Sequence, residues 1–195
     1  VVADSLFVRR WDSWEDGKRT HILRMDLADP EAPLVDLTPG DFDSPAFSAG
    51  GGADFDVSPD GKELAFTSHR DPFPAASTNV DLYVVPVDGT PEQLKSPKNL
   101  TAKNPAADGA PRYSPDGRQL AFRMQRTPGY ESDRFLLALY DRATGGSRVL
   151  TEAFDSWIGD YRFSPDGKKV FFTADVRGRT PLHELDLASG KIEVV

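Results

Sequence analysis

The 195-residue chain is 38% hydrophobic and 10% aromatic, a globular composition that supports one sizeable core or several small stacked units. Its 31 acidic residues outweigh 23 basic ones and leave a net charge of −8, which argues against a nucleic-acid backbone as partner. There is no cysteine, so disulfides, thiolate metal sites and a cysteine nucleophile are excluded, and no apolar run approaches the ~20 residues of a membrane span.

The chain opens Val1-Val2-Ala3-Asp4, without an initiator methionine or a charged-then-apolar leader, and is read as a stretch of a longer reading frame. In chain order, strands are expected around Ser5–Arg10, His21–Leu27 and Leu34–Thr38, ending in Leu37-Thr38. A repeat then becomes visible. Ser-Pro-Asp-Gly occurs at 58–61, 114–117 and 164–167, with its serines 56 and 50 residues apart. Each copy is followed by a short run rich in Phe and Val, such as Val170-Phe171-Phe172-Thr173. Proline presets φ, aspartate bonds back to the backbone and glycine takes the left-handed position, so each copy reads as a turn leading into a strand. Leu-Thr recurs at 100–101 and 150–151, and Asp-x-x-x-Gly at 141–145 and 186–190, with Asp88-Gly89 as a shorter version. The runs Asp81-Leu82-Tyr83-Val84-Val85 and Phe135-Leu136-Leu137-Ala138-Leu139-Tyr140 are apolar on both faces, as expected of sheets sandwiched between neighbouring sheets. No amphipathic helix is expected. The fold class is therefore all-β: a partial β-propeller of about four blades, each a four-stranded antiparallel meander, with blades at about 1–40, 53–101, 109–151 and 159–195 in one partial domain.

The unequal spacings point to one face. From the Ser-Pro-Asp-Gly glycine to the aspartate of the later turn (Asp186, Asp141 or Asp88) there are 19 residues in the fourth unit, 24 in the third and 27 in the second. The excess lies in the connections of the second and third strands, around His69 to Thr78 and Thr127 to Asp133, and in the Gly-rich connection between the first two units, Phe42 to Gly52. In a meander these loops share one end of the sheets. That elaborated face is expected to carry function, and the opposite face only tight turns.

The densest chemistry on that face is Pro128-Gly129-Tyr130-Glu131-Ser132-Asp133-Arg134. A carboxylate beside an aromatic ring suits an ammonium group, with Glu131, Tyr130 and Arg134 as candidate binding residues. The bland reading is an internal carboxylate–arginine pair that staples the loop. Trp11, Trp14, Glu15 and Asp16 form a similar cluster on the loop between the first two expected strands of the first unit, with Trp14 the candidate there. His21, His69 and His183 lack metal-ligand spacing, no Gly-x-Ser-x-Gly elbow or phosphate-cradling loop is present, and no metal or cofactor is expected.

The turn repeat resembles many propellers, including TolB-like ones. The combination Val8-Arg9-Arg10-Trp11-Asp12, Asp16-Gly17-Lys18-Arg19, Ser77-Thr78-Asn79-Val80-Asp81-Leu82-Tyr83 and Gly129-Tyr130-Glu131-Ser132-Asp133-Arg134 is sharper. It resembles the N-terminal propeller of the prolyl oligopeptidase (S9) family of serine peptidases, in the dipeptidyl-peptidase and acylaminoacyl-peptidase branch. The resemblance implies a propeller that screens peptide substrates for an α/β-hydrolase domain of the same parent chain, absent here, which would hold a Ser-Asp-His triad. This stretch alone is then expected to be inactive. The resemblance also implies that propeller acids hold the substrate's free amino terminus, which assigns that role by position to Glu131, with Tyr130 beside it and Arg134 orienting the acid or a substrate carbonyl. A periplasmic or secreted location is expected, and self-association of the fragment through exposed blade faces. The alternative is a non-catalytic TolB-like propeller that binds a protein partner.

Overall fold

A computed structural model describes residues 9–10, 13–14, 17–46 and 54–195. Three four-stranded antiparallel meanders follow one another. The first contains β5 (Phe55–Val57), β6 (Glu63–Ser68), β7 (Asp81–Pro86) and β8 (Lys98–Asn99). The next contains β9 (Asp108–Tyr113), β10 (Gln119–Met124), β11 (Leu136–Asp141) and β12 (Ser147–Val149). The last contains β13 (Tyr161–Phe163), β14 (Lys169–Thr173), β15 (Leu182–Asp186) and β16 (Ile192–Val194). Ahead of them, β1 (Arg9–Arg10) pairs with β2 (Ser13–Trp14), and β3 (Leu23–Arg24) pairs with β4 (Val35–Asp36). Among the described residues the first unit is thus two short ladders rather than a meander. The register Arg10↔Ser13 puts Trp14 in a strand, not in the loop its sequence context suggests.

The double-sided apolar strands explain the stacking. Successive side chains of a strand point to opposite faces. On β6, Leu64 and Phe66 pack with Leu37, Tyr83 and Val85 toward the first unit, while Ala65 joins Leu82, Val84, Leu120 and Phe122 toward the third. Beyond β11, Leu137 and Leu139 pack with Ile158, Tyr161, Val170, Phe172 and Leu185. The sheets β5–β8 and β9–β12 therefore bury both faces against their neighbours, and one core becomes three interlayer cores.

The repeated signatures have repeated bonding. The Ser58, Ser114 and Ser164 hydroxyls each donate to the aspartate two residues on at 2.6 Å, and each accepts the N–H of the residue five on. Those serine bonds come first in holding Asp60, Asp116 and Asp166 below the usual carboxylate range. Gly61, Gly117 and Gly167 adopt φ near +70° (72, 68 and 69), the left-handed region that glycine occupies without a Cβ penalty. The Leu-Thr signature closes the other end. Thr38, Thr101 and Thr151 are buried, and their hydroxyls accept the N–H groups of Ile22, Leu82 and Leu137 at 3.0, 3.0 and 2.9 Å.

Two expectations are corrected. A short helix, α1 (Pro91–Lys95), lies between β7 and β8, so the face of tight turns carries an insertion after all. Thr90 caps it in a capping box with Gln93, and Pro91 opens its first turn, where proline's missing N–H costs nothing. Its Leu94 is buried in the interlayer core shared with the first unit. A 3-10 turn, Pro74–Ala76, occupies the β6–β7 loop.

Candidate functional site

The β10–β11 loop is built from its inner residues outward. Gln125 is buried, and its side-chain amide donates to the carbonyls of Glu131 at 3.1 Å and Asp133 at 2.7 Å. The Asp133 carboxylate accepts the backbone N–H groups of Arg126 (2.8 Å), Thr127 (2.7 Å) and Arg134 (2.8 Å). These bonds, led by that of Arg126, hold its carboxyl below the usual range. Arg134 turns away to the next unit, donating to the Phe154 carbonyl at 2.6 Å and the Glu152 carbonyl at 3.2 Å, with Asp155 at 3.9 Å. Arg126 pairs with Glu152. The loop is thus stapled, but by Asp133 on backbone amides rather than by an Asp133–Arg134 pair.

Glu131 and Tyr130 remain outward. Both are exposed, Tyr130 at 54%, and the Glu131 carboxylate has no hydrogen bond or ion pair to any described residue. The structure keeps these two together on one loop tip and places Arg134 in a structural task. Trp14 lies in β2, and its side chain falls outside the described residues, as do Trp11, Glu15, Asp16 and the stretch 47–53.

The second elaborated loop leans on the first. Thr78 accepts the N–H of Gly129 at 2.9 Å. Asp71 receives the Ser77 hydroxyl and, at 3.2 Å, the Asn79 amide, which folds the loop around the 3-10 turn. Arg70 lies over the Phe42 and Tyr83 rings at 4.8 and 4.5 Å.

Beneath both loops is a buried polar network that no sequence pattern announces. Asp81 accepts from Asn99 at 2.8 Å and Thr101 at 3.2 Å. Asp108, only 2% exposed, accepts from Asn104 at 2.9 Å, while its Oδ2 has no hydrogen-bond partner. The Asn104 amide also reaches the Gln125 carbonyl at 3.0 Å, which joins the network to the Glu131 loop. Burial first, with the Asp81 charge adding to it, pushes the Asp108 carboxyl up to about 8, and burial likewise raises Asp81. His69, beside Asp71 and Asp81, is lowered by burial. The only sequence signal was the aspartate heading the inner strand of each unit, at 54, 108 and 160.

The remaining histidines are structural. His21 bonds to Asp36 at 2.7 Å and the Gly40 carbonyl at 3.0 Å. His183 is buried against Phe172 and Phe154, 5.1 Å from each ring.

No family model matches the chain. Its sequence is 29% identical over 211 residues to dipeptidyl-peptidase 5 of Aspergillus fumigatus, covering 94% of this chain and 28% of that protein. It is 28% identical over 204 residues to dipeptidyl-peptidase 5 of Porphyromonas gingivalis, covering 100% of this chain and again 28% of the relative. The chain therefore spans little more than a quarter of the length of these relatives. Among solved structures, TolB from Acinetobacter baumannii superposes with a TM-score of 0.60 at 21% identity, over 89% of this chain and 37% of TolB. A puromycin hydrolase mutant complexed with PGG gives 0.59 at 23%, over 88% and 28%. The solved structures show the propeller fold, and over nearly its whole length the sequence resembles dipeptidyl-peptidase 5, a likeness that fits the N-terminal propeller of the prolyl oligopeptidase (S9) family.

Proposed function

We propose that the chain is the substrate-screening propeller segment of a secreted or periplasmic serine dipeptidyl peptidase, and that Glu131 holds the free ammonium group of the peptide. The single observation that carries this reading is the outward Glu131 carboxylate, without a partner among the described residues, on a loop whose other acid, Asp133, is spent on backbone amides. An exposed phenol ring at Tyr130 adds cation–π attraction to the charge. A held ammonium group favours a dipeptidyl over an acylaminoacyl substrate, whose terminus is blocked. The names of the sequence relatives agree with that choice. The chemical step would belong to the α/β-hydrolase domain of the parent chain.

The test is Glu131→Ala in the full-length protein. A charge-assisted hydrogen bond is worth about 1.5–3 kcal/mol, so kcat/KM for free-amine dipeptidyl substrates should fall about 10- to 100-fold, with thermal stability nearly unchanged. An equal loss on amino-blocked substrates would overturn the amine-anchoring role. The TolB likeness favours a second reading, a non-catalytic propeller that binds a protein partner. A stop codon soon after the closing blades of the parent frame would decide for it, and a Gly-x-Ser-x-Gly strand–turn–helix against it.

A further inference from the structure

A second site lies on a different wall of the fold. The inner strands β5, β9 and β13 carry charged residues two positions before their turn serines: Asp56, Arg112 and Arg162. All three line one cavity of about 570 Å³, together with Phe55, Val57 and Phe163, a volume in the range of small-ligand sites. Pro115 also borders it, so it sits toward the Ser-Pro-Asp-Gly turns, away from Glu131.

The polar groups are set for an anion. Asp56 is occupied by backbone donors, the N–H of Val57 at 3.0 Å and that of Tyr113 at 2.8 Å. Arg112 is braced by Nη1 bonds to the carbonyls of Phe55 at 3.2 Å and Pro111 at 2.7 Å. The Arg162 side chain is 58% exposed. Its Nη1 is held by Asp160 at 2.7 Å and the Tyr161 carbonyl at 2.6 Å, and its Nε and Nη2 bond to no described residue. Arg112 and Arg162 stand beside Asp56 and Asp160, so what the cavity offers a ligand is the Nε–Nη2 edge of Arg162, which bonds to no described residue. That edge presents paired N–H groups whose spacing matches the two oxygens of a carboxylate. Phe55, 37% exposed, and Phe163 supply apolar surface beside it.

We infer that this wall is an anion-accepting subsite for a peptide carboxylate flanked by an apolar side chain, bound between Arg112 and Arg162 with Phe55 and Phe163 alongside. The inference does not rest on the amine-anchoring role of Glu131, which uses the opposite charge at the other end of the sheets. The carboxylate can come from a peptide's C-terminus or from an acidic side chain, and the probes separate these sources.

The experiment titrates the chain with N-acetyl-phenylalanine, N-acetyl-phenylalaninamide and N-acetyl-aspartyl-phenylalaninamide, following the backbone amide signals of residues 55–57, 112–113 and 162–163 by NMR. Saturable shifts from an acid, at least about fivefold tighter than from the neutral amide, are expected. The free acid winning identifies a C-terminal carboxylate, and the aspartyl probe winning identifies a side chain. Arg162→Gln should weaken that binding about tenfold or more, while Arg148→Gln, at an exposed position on the outer strand β12, leaves it unchanged. Equal binding of acid and amide, no saturable shift, or equal loss in both arginine variants would overturn the subsite.

Discussion

Asp108→Asn tests the buried network through pH. Folding raises the Asp108 carboxyl from its ordinary value of 3.8 to about 8, because burial disfavours its charged form. Between those values the folded state keeps a proton that the unfolded chain has released. Its contribution is fully present below pH 3.8 and is lost as pH rises through about 8. The slope is about 1.4 kcal/mol per pH unit, which removes about 4 kcal/mol by pH 7 and on the order of 5–6 in total. Asp81, itself raised by burial, and His69, lowered by burial, face the same network and titrate with it. The isosteric Asp108→Asn keeps the acceptor for Asn104 and cannot ionise. Urea denaturation at pH 5, 7 and 9 should show the parent chain losing stability with pH more steeply than the variant, which becomes the more stable of the two at pH 9. Parallel pH profiles would refute the buried-proton argument.

Thr151→Val keeps the shape of a buried side chain but strands the Leu137 N–H that its hydroxyl accepts at 2.9 Å. A loss of about 1–3 kcal/mol is expected in the urea transition, and a loss near zero would mean that the repeated Leu-Thr signature is not a ladder closure. Leu23, Met25 and Leu27, at alternating positions of the first unit, are each at least half exposed among the described residues, Leu27 at 82%. The chain should therefore self-associate through this patch. Light scattering should show a concentration-dependent mass that Met25→Glu with Leu27→Glu abolishes, and a monomer at every concentration would contradict the reading.

How much of this was legible beforehand depends on whether a residue's role is local. Ser58, Asp60 and Gly61 act on one another within a single turn, so a short string carries the whole device and its repetition reveals the blades. The apolar runs of β7 and β11 are legible for a related reason, since residues on both faces must meet a neighbouring sheet. Helix α1 was missed because one turn buries only Leu94, too little to produce a helical period. Its Thr90-x-x-Gln93 capping box was nonetheless written in the sequence. Asp108 was invisible because its surroundings join distant segments, the Val80 carbonyl accepting its N–H and Asn104 linking its carboxylate to the Gln125 carbonyl.

The candidate loop lies between these cases. Sequence grouped Tyr130, Glu131, Asp133 and Arg134 as one constellation, and the fold divides it by task. Glu131 and Asp133 have the same chemistry, yet their neighbourhoods differ: three backbone N–H groups converge on Asp133 and none on Glu131. Gln125 fixes the carbonyl of each residue from below. One carboxylate is thus consumed in shaping the loop, and that shape holds the other outward without ordering its side chain. A ligand that meets Glu131 encounters a backbone already fixed, so little ordering cost is left to the moment of binding. This division of labour, rather than the acidic composition of the loop, is what makes Glu131 the residue to test.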